Sequence, residues 1–280
     1  MSFLRCGKFE LSLTRPLVMG IVNLTPDSFS GDGLATDTAR AVSHARAQIA
    51  AGADILDVGA ESTRPGAIPA TAAEELERLL PVLAELADCG VPLSVDTYKP
   101  EVMREVLAAG ADMINDIAGL TQPGALAAVA ASDCGVCLMH MQGQPLTMQQ
   151  SPHYADVVRE VREFLGGRVE AARAAGIGAE RLVLDPGFGF GKSLDHNLEL
   201  LRRLPETTLD GLPILAGMSR KTMLGGLTGK PVGERLGASV AAHLKAAQLG
   251  ARILRVHDVA AMRDALVVWQ AVTPWGNQGE

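Results

Sequence analysis

Aromatic side chains are scarce in this chain, 4% of 280 residues, so core volume has to come from Ala, Val, Leu and Ile. That is the usual filling of helices packed on a buried parallel sheet. Basic charge is not in excess either. Twenty-five Lys and Arg against 32 Asp and Glu give a net charge of −7, which argues against wholesale binding to nucleic acid or to acidic membranes. No apolar run approaches the roughly 18 residues a spanning helix needs, so no membrane segment is expected. Arg5, Lys8, Glu10 and Arg15 interrupt any signal-peptide core, and a cytoplasmic protein is expected. Four cysteines are too few for a disulfide framework. The one close pair, Cys134 and Cys137, leads into an apolar run rather than opening a helix, and only His140 stands near as a further metal ligand. Both are read as small buried strand residues.

What is present is a repeated alternation. Eight short apolar runs, Leu17 to Asn23, Ile55 to Val58, Leu93 to Asp96, Met113 to Ile117, Val136 to His140, Leu182 to Asp185, Ile214 to Met218 and Ile253 to His257, are separated by stretches of helical period. Asp156 to Ala175 is an example, with Val157, Val161, Phe164, Leu165 and Val169 on one face. No Ser- or Pro-rich linker divides the chain. Ala-Ala-Gly-Ala-Asp occurs at Ala50–Asp54 and again at Ala108–Asp112, each time with glycine where a helix should end before the next strand. Eight strand-helix units predict an α/β fold, a single (β/α)8 TIM barrel over about residues 16–272. A doubly wound open sheet is the alternative. Residues 3–13, with Gly7 central, predict an N-terminal β-hairpin, and residues 274–280 a frayed tail.

A barrel of this kind carries its site at the carboxyl ends of the strands. There the sequence offers Asn23, Asp57 with Glu61, Asp96, Asn115 with Asp116, His140, Asp185, Ser219-Arg220-Lys221, and Arg255 with His257. Any one could cap a helix, but polar groups at the ends of all eight strands predict a pocket for a polar ligand. Its basic members fall on the last two strands, where barrels often bind phosphate. The loops Asn23–Gly33 and Glu61–Gly66 suit lids over this mouth. Gly187-Phe188-Gly189-Phe190-Gly191-Lys192-Ser193 looks at first like a nucleotide loop. It is not one: Pro186 stands where a phosphate loop needs glycine, and the glycine spacing misses the dinucleotide fingerprint.

The segments Asn23-Leu24-Thr25-Pro26-Asp27-Ser28-Phe29-Ser30, Asp57 to Gly66, Ser94-Val95-Asp96-Thr97, Ile114 to Ile117, Met139 to Gly143, Asp185 to Phe190, Gly217 to Lys221 and Arg255 to Asp258 cover every strand end in order. Together they resemble the dihydropteroate synthases. Two departures are small: Gly31-Asp32 stands where the family commonly has the acid one place earlier, and Ala60 replaces a usual glycine. The resemblance implies condensation of (7,8-dihydropterin-6-yl)methyl diphosphate with 4-aminobenzoate, with Mg2+ as cofactor, in a homodimer. It implies that Asp96, Asn115, Asp185 and Lys221 read the pterin, and that Thr63, Arg255 and His257 meet the diphosphate. Asn23 is then the metal ligand. Phe29, Thr63, Arg64, Pro65, Phe190 and Ser219 build the aminobenzoate pocket, where sulfonamides compete in this family. Ser62, Met139 and Ile117 complete the implied substrate-binding set, and Asp32 joins Asp96, Asp185, Lys221 and Arg255 as catalytic. A silent pterin-binding protein and the pterin domain of a corrinoid-dependent methyltransferase are the alternatives.

Overall fold

The structure is a computed structural model that describes residues 1–25, 37–62 and 69–272. Strands β1 (Phe3–Cys6) and β2 (Phe9–Ser12) form an antiparallel pair. Gly7 makes their turn at φ +53°, the left-handed region that glycine enters without steric penalty. Eight parallel strands follow: β3 (Leu17–Asn23), β4 (Ile55–Gly59), β5 (Leu93–Asp96), β6 (Met113–Asp116), β7 (Gly135–Met139), β8 (Leu182–Asp185), β9 (Ile214–Ala216) and β10 (Ala251–Val256). They close in chain order, β10 pairing with β3. The α helices lie between and after them: α1 (Thr38–Ala50), α2 (Ala72–Leu86), α3 (Pro100–Ala108), α4 (Ala125–Ala130), α5 (Val157–Ala174), α6 (Leu194–Arg202), α7 (Thr222–Thr228), α8 (Leu236–Gln248) and α9 (Val259–Val272). This is the expected (β/α)8 barrel with its hairpin. The expected tail lies outside the described residues.

The repeated Ala-Gly-Ala-Asp segments have a mechanical reason. Gly52 and Gly110 end α1 and α3 at φ +96° and +97°. The aspartate that follows reaches back to the neighbouring strand: Asp54 Oδ2 accepts the Val18 N–H at 2.7 Å, and Asp112 Oδ2 the Leu93 N–H at 3.0 Å. Each repeat thus terminates a helix and ties down the start of the adjacent strand.

Two cores result. The larger lies between the strands and the helices, filled by Val, Leu, Ile and Ala as the shortage of aromatics requires. The smaller fills the lower barrel with Leu17, Met19, Ile55, Met113, Cys137, Val183, Leu215 and Ile253, and Leu4 and Cys6 of the hairpin plug it from beneath. Cys134 and Cys137 are free and buried, as read from sequence. Two strand bounds differ from expectation by more than one residue. β9 stops at Ala216, because the Met218 N–H leaves the sheet to bond His243 Nε2 at 3.2 Å, and β10 starts early, at Ala251, with a register shift before Ile253.

The candidate active site at the carboxyl end of the barrel

Register decides which polar groups meet. Asn23 pairs with Gly59, Gly59 with Asp96, and Asp96 with Asn115 across four neighbouring strands. Two residues deeper, Asp57 lies opposite Ser94. Because side chains alternate along a strand, residues two apart such as Asp57 and Gly59 share a face, so these groups stack in layers.

At the centre is a buried network. Asp57 is fully buried and accepts from Ser94 Oγ at 2.6 Å, Asn115 Nδ2 at 3.1 Å and Arg255 Nε at 2.6 Å. The second face of the Arg255 guanidinium donates to Asp96 Oδ2 at 2.9 Å. Burial raises the Asp96 carboxyl, and the adjacent Arg255 opposes that rise. Asn115 is left with its Oδ1 buried and unpartnered. Such an atom costs free energy unless a donor reaches it, so Asn115 offers a free acceptor to a bound ligand.

Around this network the mouth opens into a cavity of about 710 Å3, lined among others by Asn23, Ser62, Asp96, Phe190, Ser219, Lys221, Arg255 and His257. Lys221 Nζ donates to the Phe188 carbonyl and sits 4.6 Å from the centre of the Phe190 ring. Burial, against the pull of Asp185, lowers this amine to about 8. Asp185 is buried and accepts the Gly187 N–H at 2.7 Å; burial raises its carboxyl, opposed by Lys221 and by that N–H. His257 Nδ1 lies 2.9 Å from Ser219 Oγ, which also accepts the His257 N–H at 3.2 Å. Asn115, Asp185, Met139 and Ile117 are buried in the barrel wall. Phe29, Asp32, Thr63, Arg64 and Pro65 lie outside the described residues.

The pterin-binding enzyme family matches residues 19–257. Dihydropteroate synthase of Neisseria meningitidis serogroup B is 51% identical over 275 residues, covering 96% of each chain. The chain belongs to the dihydropteroate synthase family. Among solved structures, Burkholderia cenocepacia dihydropteroate synthase complexed with 7,8-dihydropteroate superposes with a TM-score of 0.89 at 55% identity, over 97% of this chain and 96% of that one. The Xanthomonas albilineans synthase with 4-aminobenzoic acid gives 0.91 at 55% identity, over 98% of each.

Several groups that organise this family's site here were given no role by sequence. Ser94 stands only as a member of the segment Ser94–Thr97, with no role assigned, although a hydroxyl inside an apolar strand is a signal. Ser239 and His243, one turn apart on α8, hold the loop after β9: Ser239 Oγ accepts the Arg220 N–H at 2.9 Å, and His243 takes that of Met218. Arg235 donates to the Arg220 carbonyl at 3.0 Å. Arg220 itself stands at φ +58° and pairs with Asp258 at 2.6 Å. Lys192 is buried against His140.

The donor set also bears on Mg2+. Asn23 ends β3 at the cavity wall with one neutral amide oxygen. Among the described residues no cluster of three or more His, Cys, Asp and Glu forms a metal cage. The single neutral oxygen of Asn23 would suit an ion that keeps most of its waters and binds largely through substrate phosphates.

Proposed function

We propose that Asp96, Asn115, Asp185 and Lys221 hold the pterin ring of (7,8-dihydropterin-6-yl)methyl diphosphate in this mouth, and that Arg255 and His257 receive its diphosphate. The observation that carries the reading is the unpartnered Asn115 Oδ1 beside the Asp57–Arg255 pair. It is a gap in a buried network that a flat, N–H-bearing heterocycle would fill. Asp185 suits the 2-amino and N3–H edge, and Lys221, a donor only, suits O4 and N5.

The reaction is the condensation with 4-aminobenzoate that gives 7,8-dihydropteroate and diphosphate. The methylene C–O bond breaks, and the electron pair leaves on diphosphate. The electron-rich ring carries the resulting cation, which Asp96 and Asp185 favour by charge. The aminobenzoate nitrogen then forms the new C–N bond and loses a proton. Arg255 and His257 stabilise the departing anion. Mg2+, held by Asn23 and by the diphosphate, would supply further neutralisation of that charge. Phe190, Ser219 and Ser62 wall the aminobenzoate side, to which the family resemblance also assigns Phe29, Thr63, Arg64 and Pro65. Met139 and Ile117 pack behind the ring, and the family resemblance assigns Asp32 a catalytic role.

The same reading makes the chain one pterin-binding unit that works in the cytoplasm as a homodimer. Supporting it are the net charge of −7, the lack of a helix among the described residues long and apolar enough to cross a membrane, and exposed Leu227 and Leu236 on α7 and α8. The deciding assay follows diphosphate release with and without aminobenzoate, alongside chromatography for dihydropteroate. Pterin binding without turnover would leave a silent binding protein, and no pterin binding would end the reading.

A further inference from the structure

The lysine that makes residues 187–193 imitate a nucleotide loop turns its ammonium into that loop and toward His140. Lys192 is 3% exposed. Its Nζ lies 3.0 Å from His140 Nδ1 and donates to the carbonyls of Gly187 at 2.9 Å and Phe190 at 3.0 Å, with the His140 carbonyl at 3.4 Å. None of these partners is a carboxylate. The loop bends around the ammonium through left-handed turns at Gly187, Gly189 and Gly191. It is also pressed onto the end of β7: a Cβ at Gly187 would stand 1.9 Å from the His140 carbonyl oxygen, and one at Gly191 2.3 Å from that of Gln142.

Lys192 therefore grips the loop at two places that matter to different ligands. Gly187 offers its N–H to the Asp185 carboxylate at 2.7 Å. Phe190 presents its ring to the cavity beside Lys221. We propose that Lys192 is a positioning residue: seated among loop carbonyls and His140, its ammonium sets Phe190 relative to Asp185, and so sets the aminobenzoate wall relative to bound pterin. The inference rests on the assignment of Asp185 to the pterin and Phe190 to aminobenzoate.

The partners there call for several N–H donors on one atom. An ammonium has three N–H groups and no acceptor, so an apolar replacement leaves two buried loop carbonyls without their partner. It also fixes His140. Facing a donor, Nδ1 must present its lone pair, which puts the imidazole proton on Nε2. Burial lowers Lys192 to about 7 with Asp185 opposing, and burial with the Lys192 charge lowers His140 to about 2. At pH 6 the pair is therefore an ammonium facing a neutral imidazole.

The test compares wild type with Lys192→Met and Lys192→Gln. Titration calorimetry with a non-reactive pterin should show affinity within about threefold of wild type, while the KM for aminobenzoate rises about tenfold or more. Equal weakening of both ligands, or an unchanged KM in a folded variant, would overturn the proposal. The 15N spectrum of wild-type His140 at pH 6, which needs no variant to fold, should show an unprotonated Nδ1; a proton on Nδ1 overturns the seating of the ammonium. Failure of the underlying site assignment looks different: Asp185→Ala would then bind pterin as wild type does, whatever the Lys192 variants do.

Discussion

Arg255 and Asp57, 198 positions apart in the chain, meet at 2.6 Å at the centre of the barrel mouth. The same Asp57 oxygen accepts from Asn115, so one buried carboxylate holds a guanidinium and an amide in fixed relation. Arg255 is thereby aimed along the face shared with Asp96 rather than out to solvent. Its long side chain surrenders rotamer freedom before any ligand arrives, which lowers the cost of meeting an anion there.

Asp57→Asn should therefore harm both fold and function. Removing one partner of a buried pair costs about 3–5 kcal/mol, and because Arg255 keeps Asp96 the loss should fall at the low end of that range. Denaturant unfolding would measure it. Turnover should fall by about tenfold or more, since Arg255 and Asn115 both lose their anchor. A variant with unchanged midpoint and kcat/KM would show that Asp96 alone positions the guanidinium.

The strands were legible because each is a short apolar run covered on both faces and ended by a polar group, as at Leu17–Asn23 and Leu182–Asp185. The end of β9 was not, because it is set by His243, a residue of α8 with no local sequence tie to Met218. The site divides in the same way. Asn23, Asp96, Lys221, Arg255 and His257, at or just beyond strand ends, line the cavity. Asp57 reads as one more strand-end acid, and its role emerges only when the closed barrel brings β10 around to β3, beside β4. Lys192 misleads for a different reason. Its direction is set by three left-handed glycines, which no residue pattern reveals without the backbone they adopt.

On the proposed assignment, Asp185→Ala should lose pterin affinity by on the order of 2 to 4 kcal/mol, because a charged acceptor paired with two ring donors leaves those donors buried and unmet when removed. Calorimetry with a non-reactive pterin reads this directly. Affinity equal to wild type would show that another carboxylate reads the ring.

Acid stability should carry the signature of His243. The ring is fully buried between the Met218 N–H at Nε2 and the Ser239 carbonyl, 2.7 Å from Nδ1, and burial lowers it from 6.5 to about 4. The unfolded chain thus binds a proton that the native state refuses between those values. Stability is full above about pH 6.5 and falls as pH drops toward 4, by about 3 kcal/mol at most from this residue. His140, lowered to about 2 by burial and by Lys192, adds a fall of the same sign. His243→Gln should flatten the pH dependence of unfolding by one proton over pH 4 to 6.5. A slope identical to wild type would place the proton uptake elsewhere.

Arg255→Ala separates the two ends of the substrate. Arg255 lines the cavity with Asn23 and His257, and it is held from below by Asp57 and Asp96, which leaves the outer edge of its guanidinium for an anion. Truncation should weaken the pterin diphosphate by more than tenfold and a pterin lacking the diphosphate by much less, since the lost bonds are charge-assisted ones to phosphate oxygens. Arg255→Lys should recover little, because an ammonium cannot face Asp57 and Asp96 together and still present a planar fork outward. Equal weakening of both ligands would mean that Arg255 serves the ring rather than the leaving group.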